Sequence, residues 1–212
     1  MPTAHIDTFA RDHLPSPQQQ PEFLFELPEL KFPAQLNCAT ELLDRHVAEG
    51  RGDRVCIRAA GLTWTWRDLQ DRADRIAHVL VQDMGLVPGN RVLLRAPNNP
   101  MVAACWFAVM KVGAVAVATM PLLRAKELKA IIEIGRVTHA LADASLAEDL
   151  REASLASPGL KQIRHFNHDG PDSLERAMER HPHPFTNVNT AADDTCIFGF
   201  TSGTTGVPKC TM

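Results

Sequence analysis

A chain of 212 residues has room for one large domain, or for one domain and part of a second. With 45% apolar and 22% charged residues it reads as an ordinary soluble globular protein. A net charge of -3, with both signs interspersed, leaves no electrostatic footprint for nucleic acid or an anionic membrane.

Five scattered cysteines without a CxxC pair suit reduced thiols in a cytoplasmic protein better than a disulfide framework. The N-terminus, MPTAHIDTFARDHL, lacks the basic flank and apolar core of a secretory signal. Residues 1–36 form an arm in which Pro2, Pro15, Pro17, Pro21, Pro28 and Pro33 prevent a continuous helix. Phe23, Leu24, Phe25, Leu27, Leu30 and Phe32 in the arm need cover. The expected cover is the chain's own domain, and a subunit interface in a homodimer is the alternative.

Residues 37–170 read as an α/β subdomain. A helix over 38–50 places Leu42, Leu43 and Val47 on one face and stops at Gly50. Strands follow at 55–58 and 62–65, with Trp64 and Trp66 read as core and edge packing. Thr65 with Asp68 three residues on marks a helix start. Leu69, Ala73, Ile76, Ala77, Leu80, Val81 and Met84 then recur at helical spacing up to Gly85.

A strand at 91–95 leads to Asn99-Pro100, a cap and first helical residue, and the helix runs to about 112. The apolar stretch 101–123 carries charge only at Lys111. Lys111 and Gly113 divide it into a buried helix and a buried strand, so a membrane span is not expected. Lys111 and Arg124 read as solvated ends of these elements. Strands at 115–118, 139–142 and 163–166 alternate with helices at 126–136 and 145–153. That alternation predicts an α/β fold with a mainly parallel sheet and helices on both faces.

Residues 171–192 are a polar connection with a short helix over 174–178. The pairs His165/His168 and His181/His183 have metal-like spacing without nearby cysteines, and are read as loop histidines. Residues 193–212 hold a last strand, 195–200, and the loop it delivers, read as the truncated start of a further subdomain.

That loop is FTSGTTGVPKCTM. Gly203 and Gly206 permit a close backbone approach to a ligand. Thr201, Ser202, Thr204 and Thr205 supply hydroxyl donors, and Lys209 supplies a full charge. Backbone N–H groups after a strand can be turned toward an anion, and a phosphate chain uses all these groups at once. Pro208 excludes a Walker A loop. A polar turn between two strands is the plainer alternative, but it requires fewer small and hydroxylated residues.

FTSGTTGVPK resembles the phosphate loop of the adenylate-forming enzymes, which include acyl-CoA and aryl-CoA synthetases, luciferases and peptide-synthetase adenylation domains. LTWTWRDL, VPGNRVLLRAPNNP and WFAVMKVGAVAVATMPLLRAKEL are similar to successive early segments of that family. The similarity covers roughly 38–212. The arm, with TAHIDTFARDHLPSP and EFLFELPELKFP, resembles 2-aminobenzoate-CoA and benzoate-CoA ligases.

The resemblance implies an ATP-dependent ligase that activates an aromatic carboxylate as an acyl-adenylate and passes it to coenzyme A, with Mg2+ sharing the phosphate charge. It implies that Thr201, Ser202, Gly203, Thr204, Thr205, Gly206 and Lys209 bind the ATP phosphates, with Lys209 stabilising charge on the departing pyrophosphate. A non-catalytic nucleotide-binding module, or an enzyme of the same family for a fatty or amino acid, is the alternative. The family has glycine at the position of Cys210, so Cys210 is expected to weaken nucleotide binding modestly if a left-handed backbone is needed there. Members are more than twice this length, so the chain alone is not expected to catalyse adenylation.

Overall fold

The computed structural model describes residues 3–22, 24–201 and 208–212. The arm begins tightly held. Asp194 accepts from the Thr3 hydroxyl, and from the Ala4 amide and Arg11 Nη2, each at 3.0 Å. A short helix, α1 (Phe9–Asp12), buries Ala10 completely. The arm crosses Gly89, where φ is +87° and an added Cβ would stand 2.1 Å from the Asp7 carbonyl oxygen. The expected cover ends there. Leu24, Phe25, Leu27 and Phe32 remain more than half exposed, and the Phe25 and Phe32 rings meet edge-on at 6.3 Å.

Beyond Asn37 the chain runs through widened helical turns over Thr40–Asp44 and Val47–Arg51. Leu43 is buried, but Leu42 is exposed, because turns closed by i→i+5 bonds do not keep the spacing of a regular helix. A two-stranded antiparallel hairpin follows, β1 (Val55–Ala59) and β2 (Leu62–Thr65). Trp64 enters the core and the Arg72 guanidinium lies 4.3 Å from its ring centre, while Trp66 stacks on His46.

Thr65 and Asp68 form the expected reciprocal cap of α2 (Trp66–His78), and helical turns continue through Asp83. The remaining order is β3 (Arg91–Arg95), α3 (Pro100–Lys111), β4 (Val115–Thr119), α4 (Ala125–Ile134), β5 (His139–Asp143), α5 (Ala147–Leu155), β6 (Gln162–Phe166), α6 (Leu174–Met178), β7 (Ile197–Thr201) and β8 (Lys209–Thr211).

The main sheet has the strand order β6-β5-β3-β4-β7-β8, parallel throughout except for β8. Alternation along β3 sends Val92 and Leu94 to the core under α2, α3 and α6, and Leu93 to the core under α4 and α5. The sheet is thus covered on both faces, as the alternation of elements requires. No helix among the described residues is long and apolar enough to cross a membrane.

β7 pairs with β4 and extends the same sheet. One reading needs correction. Lys111 is not a solvated helix end. It is 1% exposed and lies between the carboxylates of Asp44 and Asp74, at 2.6 and 2.9 Å. Arg124 does reach solvent.

Candidate functional site

β7 positions the loop. Phe198 is buried and Phe200 is partly buried against the same core, which fixes the strand's facing and register. Its backbone is tied to β4, where the Ala116 amide donates to the Cys196 carbonyl at 2.9 Å. Because β7 runs parallel to β3, β4, β5 and β6, its end at Thr201 lies on the carboxyl edge of the sheet, with Arg95, Thr119 and Asp143.

β8, unforeseen in the sequence, returns antiparallel and opposes Lys209 to Thr201, Cys210 to Phe200 and Thr211 to Gly199. The fit at Gly199 is close: the Thr211 hydroxyl donates to the Gly199 carbonyl at 3.0 Å, and a Cβ on Gly199 would meet that hydroxyl at 2.9 Å. Thr201 and Lys209 therefore form the neck of the loop, and both are exposed. Among the described residues no carboxylate pairs with Lys209, so its charge is available to an anion. Ser202, Gly203, Thr204, Thr205 and Gly206 lie outside the described residues. Cys210 sits in extended β8, and Arg136 and Asn167 are the non-glycine residues with positive φ among those described. The left-handed backbone behind the concern over Cys210 is not present.

Two polar centres that sequence reasoning missed organise this edge. Arg95 is wholly buried at the end of β3 and donates to the carbonyls of Leu123 at 2.8 Å, Met120 at 3.3 Å, Pro121 at 3.4 Å and Leu146 at 3.3 Å. It fastens the turn after β4 to the turn after β5. The signal was an arginine closing an otherwise apolar strand, RVLLR.

Asp143 accepts from Asn99 at 2.9 Å, from Asn167 at 2.6 Å, and from the Ser145 amide and hydroxyl at 2.9 and 2.6 Å. Burial opposes its ionisation, but these donors win and hold its carboxyl below the usual range. Asn99 also caps α3 through the Val102 amide at 3.0 Å.

Both histidines of the second pair meet carboxylates. His181 is buried and its Nε2 lies 2.9 Å from Asp83, and His183 approaches Asp74 at 3.6 Å. Among the described residues no group of three His, Cys, Asp or Glu could hold a metal ion.

A parallel sheet wound in both directions from its centre, with its polar machinery on the carboxyl edge, defines a doubly wound α/β protein of the kind that takes ligands at that edge. Residues 44–212 match the profile described as AMP-binding enzyme, and the chain belongs to that family.

Among curated relatives, it is 30% identical over 179 residues to long-chain fatty acid transport protein 6 of Mus musculus, covering 79% of this chain and 29% of that protein. It is 27% identical over 186 residues to benzoate–CoA ligase of Thauera aromatica, covering 87% and 35%. The chain thus spans about a third of the length of these relatives. The solved anthranilate CoA ligase AuaEII in complex with anthranoyl-AMP matches with a TM-score of 0.78 at 22% identity, over 84% of this chain and 34% of that one. At that identity the likeness is one of fold.

Proposed function

We propose that the chain is the N-terminal portion of an ATP-dependent acid–CoA ligase, and that the loop from Thr201 to Lys209 holds the phosphates of ATP. The observation that supports this most directly is the loop neck, where Lys209 stands exposed and without a carboxylate partner opposite Thr201. ATP, when bound, supplies the leaving group that turns a carboxylate into an acyl donor for the CoA thiol. Lys209 offsets the negative charge that grows on the departing phosphates, and the Thr201 hydroxyl donates to them. Magnesium, when bound, would share that charge.

The proposed acid is aromatic, of the benzoate or 2-aminobenzoate type. The arm sequence and the benzoate–CoA ligase relative support this reading, whereas the fatty acid transport relative favours a longer aliphatic acid. The test is carboxylate-dependent ATP–pyrophosphate exchange by the full-length polypeptide containing this chain, across benzoate, 2-aminobenzoate and fatty acids. Exchange with an aromatic acid is expected, and none from the 212-residue chain alone. Magnesium–ATP binding without exchange on any acid would leave a phosphate-binding module in place of an enzyme.

A further inference from the structure

Cys38 and Cys196 come together from distant parts of the sequence. Cys38 opens the helical turns after Asn37, and Cys196 directly precedes β7. Both line an internal cavity of about 60 Å3, with His5, Met110, Gly113 and Thr190 among its other walls. The two thiols share that lining and interact electrostatically, and both residues are half-buried. Their backbones are held: the Cys196 carbonyl by Ala116, and the start of the helix by Asn37, whose Oδ1 accepts from the Ala39 amide at 3.0 Å. The cavity is large enough to admit a water-sized molecule, and hydrogen peroxide is of that size.

The interaction with Cys196 favours the Cys38 thiolate against the opposing effect of burial. It lowers Cys38 from 9.0 to about 6 and raises Cys196, which retains its proton. A lowered thiol carries more of the thiolate, the form that an oxidant attacks. Two other titratable groups face the cavity. Burial lowers His5, and Asp194 is engaged by Thr3, Ala4, Ala191 and Arg11.

We propose that Cys38 is an oxidisable thiol with Cys196 as its resolving partner, and that hydrogen peroxide converts the pair into a disulfide joining the helical turns to the strand that leads to the loop. The Cys38 thiolate attacks one peroxide oxygen and the O–O bond breaks. With uptake of one proton, water leaves and Cys38 carries a sulfenic acid. The Cys196 sulfur then attacks the Cys38 sulfur, the S–O bond breaks, and the hydroxyl leaves with the thiol proton as a second water. Two thiols and one peroxide give one disulfide and two waters, the sulfurs being oxidised and the peroxide oxygens reduced.

The remaining cysteines are internal controls, because burial raises the thiols of Cys56, Cys105 and Cys210. The chain would be treated with limiting peroxide at pH 7, alkylated, digested and mapped by mass spectrometry. Cys38 and Cys196 are expected to lose label together, ahead of the other three, in a joined peptide lighter by two hydrogens. In Cys196→Ser, Cys38 is expected to stop at a sulfenic acid that dimedone traps. Loss of label at Cys38 no faster than at Cys56 or Cys210, or oxidation of both cysteines without the joined peptide, would overturn the proposal. The wild-type map needs no variant to fold.

Discussion

Lys111 Nζ and Asp74 Oδ1 lie 2.9 Å apart with both side chains 1% exposed, and Asp44 closes on the same ammonium at 2.6 Å. Asn187 donates to Asp44 at 2.7 Å and accepts from Lys111 at 3.3 Å, so the polar connection is fastened to α3 through this cluster. Removing the cation leaves the buried Asp74 carboxylate without its countercharge, beside the partly exposed carboxylate of Asp44. Lys111→Met is expected to cost about 3–5 kcal/mol. Adding Asp74→Leu should recover part of that loss. Urea midpoints of the single and double variants check it, and a single variant as stable as wild type would contradict the buried-charge account.

Arg95 gathers the carbonyls of Met120, Pro121, Leu123 and Leu146 onto one buried guanidinium. Arg95→Ala removes their shared donor and opens a void at a wholly buried side chain, for an expected loss of about 3 kcal/mol. Arg95→Lys should not restore it, because a point ammonium cannot reach the acceptors that a planar fork spans. Thermal melts of the two variants decide this, and full rescue by lysine would show that charge alone is at work.

Lys209 offers the opposite case, an exposed cation whose removal leaves the fold alone. Lys209→Ala is expected to change stability by less than about 0.5 kcal/mol. In the full-length polypeptide it should weaken magnesium–ATP binding by about 10- to 100-fold, the worth of a hydrogen bond to a charged group. Calorimetric titration reads the affinity. An unchanged value would remove Lys209 from the phosphate site.

Cys210 is extended, paired with Phe200 and partly buried against the core beneath α4 and α5. Its Cβ is not strained, so Cys210→Gly is expected to lower stability by about 0.5–1 kcal/mol, the cost of glycine within a strand. Nucleotide affinity should not rise. Tighter binding by the glycine variant would show that the loop exit does need a freer backbone.

Stability should fall with acid in two stages. Burial lowers His5, His139 and His165 below 6.5 in the folded state, so the unfolded chain binds protons first. Their contribution is complete above 6.5 and is lost as pH falls through the folded values. Asp7, Asp143 and Asp194 are each held below 3.8 by their donors, in spite of burial. They add stability above 3.8 that disappears as pH falls further. Urea midpoints measured from pH 7 to pH 3 check both stages. His139→Gln should flatten the upper stage, and a profile unaffected by that change would place the titration elsewhere.

Caps and strand spacing were legible in the sequence because each depends on residues within a turn or two of one another. Thr65 with Asp68, Asn99 with Pro100, and the spacing from Leu69 to Met84 are of this kind. So was the alternation that demands a parallel sheet covered on both faces. The tertiary structure alone decided the strand order, the return of β8 beside the loop, the burial of Lys111 and Arg95, and the meeting of Cys38 with Cys196. Each of those joins residues separated by long stretches of chain. A charged side chain is stable in the interior only when folding brings its partners to it, and spacing along one segment carries no record of that encounter.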